Sequence, residues 1–172
     1  PRSSGGRRVN PSQGGWLILL TMLLALLLAI VHLPETWPQW LGWLRPAWVA
    51  MVVFFWVMEL PHRVGLVAAW ILGLLLDVLY ADPLGLNGVL LASITYIGWR
   101  FYERLRMYSV IQQGGVVFLM VLGTEAARLF VEDLVFDRGW SWGVLFPAVT
   151  SLAIWPFLYL SLSRLKFRVG VE

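Results

Sequence analysis

Apolar residues fall into six long runs separated by short polar gaps, at about 16–33, 46–60, 64–81, 84–101, 108–131 and 142–162. An α-helix rises about 1.5 Å per residue, so roughly 20 mainly apolar residues cross the hydrocarbon core of a bilayer. The pattern predicts an all-α integral membrane protein, a bundle of six transmembrane helices. Residues 16–163 make one membrane domain between a polar N-terminal tail, 1–15, and a basic tail, 164–172. No repeat, linker or low-complexity tract divides it.

Prolines and short polar clusters mark the ends of the runs. The first ends before Pro34, and the second runs from Pro46, suited to the first position of a helix, to Leu60 before Pro61. The 15 residues of that second run cover roughly 22 Å, so either the bilayer thins there or neighbouring helices shield its ends. Asp82-Pro83 leaves room only for a tight turn, which makes the third and fourth helices antiparallel neighbours. The fifth run keeps its apolar character to Phe136, too long for a simple span, so its far end projects or bends. Pro147 and Pro156 predict kinks in the sixth. Between Pro34 and Pro46, Trp37, Trp40, Leu41, Trp43 and Leu44 recur at helical spacing. They read as a short helix lying at the membrane interface, or as a Trp-rich loop without regular structure.

Charge orients the bundle. Arg2, Arg7 and Arg8 precede the first run, Arg63 follows the second, Arg100, Arg104 and Arg106 follow the fourth, and Arg164, Lys166 and Arg168 follow the sixth. Basic residues near span ends stay on the cytoplasmic side, so this alternation puts both termini in the cytoplasm. The other gaps hold only Arg45 and Arg138, and Arg128 alone sits within a run.

Composition agrees with a chain that lives in lipid. It is 59% hydrophobic and 13% charged, about half the usual globular charged share of ~25%. The net charge of +3 comes from loops and tails on one side, so it reports orientation and contact with anionic membrane lipids, and no nucleic acid partner is expected. With no cysteine, disulfides, thiolate nucleophiles and Cys-ligated metals are excluded. No small-residue cleavage site follows Val31, so the first run reads as a retained helix; the start at Pro1 without Met reads as processed or trimmed.

Few constellations could carry chemistry. Gly65, Ala69 and Gly73 stand four apart, with Asp77 continuing the stripe. Small residues at that spacing admit a second helix, either from within the bundle or from a partner protein. Asp77 on the third helix and Glu125, Arg128 and Glu132 on the fifth lie at similar depth toward the outer side. Because an ionised side chain deep in lipid costs at least ~2.5–3.5 kcal/mol, they are expected to form a shared ionic cluster with Asp77 reaching Arg128. Such a cluster locks helices together or lines a proton or solute path. At the cytoplasmic end of the second helix, His62 and Arg63 follow Pro61 at headgroup level, where they make a tight basic turn or meet phosphate or a partner carboxylate.

No catalytic, cofactor or metal site is expected. His32 and His62 fall at opposite membrane faces, and the sequence has no His-Glu-x-x-His, phosphate-binding Gly-rich loop or Gly-x-Ser-x-Gly. Ser93 and Ser151 have no His at matching depth.

Leu44-Arg45-Pro46-Ala47-Trp48 opening the second helix, Leu60-Pro61-His62-Arg63-Val64 closing it, Gly73 with Asp77 in the third, Leu84-Gly85 opening the fourth and Trp155-Pro156 before a basic tail occur in an order that resembles the MreD family of rod-shape-determining proteins, proteobacterial type, over essentially the whole chain. The resemblance implies a non-enzymatic, multi-pass inner-membrane component of the machinery that elongates the cell wall. It implies MreC as direct partner, with MreB, RodA and RodA's partner transpeptidase as complex members. It also implies a fold similar to the S components of energy-coupling vitamin transporters, and with it the alternative of a small-molecule or lipid binder with an outward pocket. Reporter domains fused after Lys166 and after Pro83 are expected to report the cytoplasm and the periplasm respectively; the reverse result would invert the topology.

Overall fold

A computed structural model describes residues 12–30, 45–136 and 142–169. Within them the chain is helical throughout: α1 Ser12–Ile30, α2 Trp48–Glu59, α3 Leu66–Tyr80, α4 Leu86–Met107, α5 Val110–Phe136 and, after a single 3-10 turn at Trp142–Val144, α6 Leu145–Val169. No strand occurs among the described residues. The segment proposed as an interfacial helix, up to Leu44, lies outside them.

Local chemistry sets the boundaries. α2 stops because Pro61 excludes the preceding residue from helical backbone, and Leu60 accordingly sits at φ −138°, ψ 68°. α3 ends with Ala81 in the left-handed region at φ 55°, where the N–H of Asp82 reaches back to the Asp77 carbonyl at 3.0 Å. Gly85, at φ 96°, then opens α4 in a conformation that costs little without a Cβ. Two spans differ from expectation. α4 continues past Phe101 to Met107, with Arg104 and Arg106 in its last turn, and α6 continues to Val169, so most of the supposed basic tail is helix. Both extensions end in cations, which the carbonyl end of a helix favours. Pro147 stands in the first turn of α6, where its missing N–H has no helical acceptor to lose, whereas Pro156 lies inside the helix.

α2 is the post around which the others stand. Val49 and every residue from Met51 to Met58 are buried, the signature of a helix apolar all round and packed on every side. It contacts α1, α4, α5 and α6. Its shortness is resolved by its neighbours: the Ser151 hydroxyl of α6 accepts the N–H of Ala47 at 3.0 Å just before α2, and Lys166, also on α6, meets Glu59 at 2.6 Å at the far end. Thr21 of α1 accepts the indole N–H of the fully buried Trp56 at 2.8 Å, and Trp155 packs on Phe54.

α3 and α4 form the tightest pair. A Cβ on Gly73 would stand 2.4 Å from the backbone oxygen of Asn87 and from the Cα of Gly88, so the two backbones touch as in small-residue membrane pairs. α5 packs along α6 and meets α4, its predecessor in the chain, far less. Within α5 and α6, Val110–Leu134 and Leu145–Val169 are long and apolar enough to cross a membrane, yet only 17% and 22% of their apolar windows are buried. Helices of a soluble core would be mostly buried, so their exposed Ile111, Leu119 and Phe157 call for hydrocarbon as solvent. α1, α2 and α3 contain shorter apolar helices.

Gly73→Ala is expected to lower the unfolding midpoint by the equivalent of about 1–3 kcal/mol, the usual cost of overpacking. Gly115→Ala on α5, where an added Cβ meets nothing within 4 Å, is expected to be neutral or to stabilise by up to about 1 kcal/mol. Equal thermal midpoints for Gly73→Ala and the parent would contradict the close approach.

Candidate functional site

The largest polar network among the described residues lies at one end of the bundle. There Asp77, one turn from the end of α3 and fully buried, turns its carboxylate onto the start of α4. The N–H of Gly85 donates to Oδ2 at 2.7 Å, and the N–H of Asn87 donates to Oδ1 at 2.8 Å. The first N–H groups of a helix have no partner inside it, and the helix dipole favours an anion there. Asp77 therefore caps a neighbouring helix rather than its own.

Asn87 carries the network onward. Its Nδ2 donates both to Asp77 Oδ1 at 2.9 Å and to Asp82 Oδ2 at 2.8 Å. With both amide hydrogens spent on carboxylates, its Oδ1 is left as an acceptor, and Arg128 Nη2 donates to it. Arg128 Nη1 lies 3.7 Å from Asp82, and the guanidinium stands 5.7 Å from the centroid of the Tyr80 ring, within cation–π range. The Tyr80 hydroxyl donates to the Ala29 carbonyl of α1 at 3.3 Å.

The ionic cluster thus differs from the expected one. Asp77 and Arg128 are joined through Asn87, because α4 enters between α3 and α5 at this level, and Asp82 of the turn takes the direct, longer contact. Glu125 lines the same space as Arg128. Glu132 sits about one turn further along α5, partly buried and off that wall. Of the small-residue stripe, Ala69 is buried and Gly73 is closed by α4, while an added Cβ on Gly65 would meet nothing within 4 Å. The stripe gives no seat to a partner's helix at Gly73. His62 and Arg63 are exposed in the turn between α2 and α3 at the opposite end, where the Trp99 indole holds the Pro61 carbonyl at 2.7 Å.

In front of this network lies a cavity of about 280 Å³ to which all six helices or their flanks contribute. Its polar wall is Arg45, Tyr80, Asn87, Thr124, Glu125 and Arg128, and its floor is apolar, with Leu76, Leu91 and Ile94. Arg128 Nε is buried there without a hydrogen-bond partner. Among the described residues nothing gathers into a metal-binding group. The arrangement can hold a small charged group by charge-assisted hydrogen bonds.

Sequence reasoning missed Asn87 and gave Arg45 no role. A signal for Arg45 existed: it and Arg128 are two of the exceptions to the basic alternation, and both line one cavity. Asn87 carried no such mark. The Lys166–Glu59 pair was also missed, since its partners lie 107 residues apart.

A family model, that of rod shape-determining protein MreD, matches residues 11–165. The rod shape-determining protein MreD of Haemophilus influenzae is 28% identical over 152 residues, covering 88% of this chain and 94% of that protein. No solved structure matches.

Asp77→Ala and Arg128→Ala, made singly and together, are expected to show a coupling of about 1 kcal/mol in unfolding. Repeating the cycle with Asn87→Ala in every variant is expected to abolish it. A coupling that persists without Asn87 would mean direct contact between the two charges.

Proposed function

The chain belongs to the MreD family of rod shape-determining membrane proteins, and from that premise we propose that it is a non-catalytic scaffold of the cell-wall elongation complex in the inner membrane. In this reading it docks MreC and helps to position or regulate peptidoglycan synthesis beside RodA and its partner transpeptidase, with MreB on the cytoplasmic side. The observation that carries the reading is the family match, which runs from residue 11 to 165 and leaves little of the chain unaccounted for.

The proposed topology has all six helices spanning, with the cavity end periplasmic. The opposite end then gathers Arg63, Arg104, Arg106, Lys166 and Arg168 on the cytoplasmic side, where a cytoskeletal partner and anionic lipid headgroups are found. Spanning by the shorter helices needs a locally thinned bilayer or shielding by neighbours, and α2 has such shielding in α6.

A second reading is favoured by one observation, the charged cavity with its unpartnered Arg128 Nε. It makes the protein a binder of a small molecule or lipid at its outer end, in the manner of the S components of energy-coupling vitamin transporters. The two readings are compatible, since docking uses outer faces and binding uses the interior.

Affinity purification of the tagged chain from membranes in mild detergent is expected to recover MreC, and the chain is expected to restore rod shape to cells depleted of their own MreD. Shape rescue without any MreC recovery, including after crosslinking, would argue against docking. Gly73→Leu is expected to lower thermal stability and MreC recovery together; loss of MreC at unchanged stability would return the stripe to the partner interface.

A further inference from the structure

The charged cavity has an apolar neighbour. Beside it, between α4 and α5, runs a slot of about 420 Å³ walled by Leu90, Ile94, Ile97, Leu119, Met120 and Thr124 among others. Leu90, Ile94 and Thr124 also line the charged cavity, so the two spaces share a wall. The hydroxyls in the slot are spent on their own helices, Ser93 on the Val89 carbonyl at 2.8 Å and Thr124 on that of Val121 at 2.9 Å. What remains is a hydrocarbon lining. An added Cβ on Gly123 of that lining would meet nothing within 4 Å, which marks a gap where consecutive helices ordinarily pack.

The charges at the head of the slot have two signs. Arg45 and Arg128 bring guanidinium groups and Glu125 a carboxylate. Neither Arg45 nor Glu125 makes a hydrogen bond or ion pair among the described residues, and Arg128 keeps Nε unused. Arg128 already meets Asn87 and Asp82, but a simple anion here would lie against the Glu125 carboxylate and a simple cation against the two guanidinium groups, like charges brought together. A zwitterion satisfies both, and the adjoining apolar slot suits a zwitterion that carries a long chain.

We infer that the cavity holds the phosphoethanolamine head of a phospholipid, with phosphate at Arg45 and Arg128 and ammonium at Glu125, while an acyl chain lies in the slot between α4 and α5. This rests on the second reading above and names its ligand class. Entry is sideways from the leaflet, past α4 and α5, which pack on each other far less than α3 on α4 or α5 on α6.

The test uses the full chain purified in mild detergent, with dioleoyl-phosphatidylethanolamine, dioleoyl-phosphatidylglycerol, dioleoyl-phosphatidylcholine and chain-free glycerophosphoethanolamine as probes. Native mass spectrometry is expected to show an equimolar phosphatidylethanolamine on the parent, held about tenfold more tightly than the other two lipids. Glu125→Gln is expected to remove the preference over phosphatidylglycerol, Arg45→Ala to weaken both, and Gly123→Trp to abolish retention by filling the slot. The side chains of Arg45 and Glu125 make no hydrogen bond or ion pair among the described residues, so thermal midpoints of their variants in detergent are expected to match the parent. Preference for phosphatidylglycerol, or no preference, overturns the zwitterion assignment and leaves a lipid pocket. Binding of glycerophosphoethanolamine as tight as that of the lipid overturns the slot. Retention of no probe by the parent overturns the binding reading itself.

Discussion

The fold turns on where one carboxylate ends up. An ionised Asp in the membrane half of a helix is expensive unless its oxygens are filled, and Asp77 fills them with the start of the next helix: two main-chain N–H groups and the Asn87 amide. That demand sets the α3–α4 geometry. To bring Gly85 and Asn87 within reach, the chain must reverse through Ala81 in the left-handed region, and the backbones must approach until Gly73 touches Asn87 and Gly88. A side chain at position 73 or an apolar one at 77 would each prevent the other's arrangement. Charge-assisted hydrogen bonds contribute about 1.5–3 kcal/mol each, so the cap can offset the insertion cost of the charge.

α2 solves the opposite problem, a helix with nothing polar along it and too little length. Because it is buried on every side, its end groups face protein. α6 serves both ends, with Ser151 at one and Lys166 at the other. The Lys166–Glu59 pair is mostly buried, at 16% and 14% side-chain exposure, and such pairs add little net stability but penalise any arrangement that separates them. It therefore acts mainly to fix the register of α6 on α2.

Much of this was legible in the residues, and the parts that were not share a cause. Six apolar runs gave the helices, Pro61 and Asp82-Pro83 gave the turns, and the spacing of Ala69, Gly73 and Asp77 showed that something must come close. These are local signals with helical period. What came close was not legible, since the same small residues suit α4 or a foreign helix. The Asp77–Arg128 pairing failed for a related reason. Depth along two helices can be counted, but the presence of Asn87 between them depends on the third helix that the Gly73 contact draws in. The basic tail expected from residue 164 is helix as far as Val169, because Leu165, Phe167 and Val169 continue the helix and the basic residues suit its end.

The interior is therefore strong in two places and looser between them. α3 with α4 is locked by backbone contact and the Asp77 cap, and α5 with α6 by extensive packing. Between these pairs, α4 and α5 are bridged near the cavity by Arg128 reaching Asn87 and at the other end by Gln113 holding the Leu105 carbonyl at 3.0 Å. Polar ties at both ends with an apolar gap between them keep a slot open without letting the helices part. Gly123, exposed on this face, adds no side chain to close it. In the proposed reading one lipid occupies the charged head-space and the slot together, while the outer faces of the bundle stay free for partners.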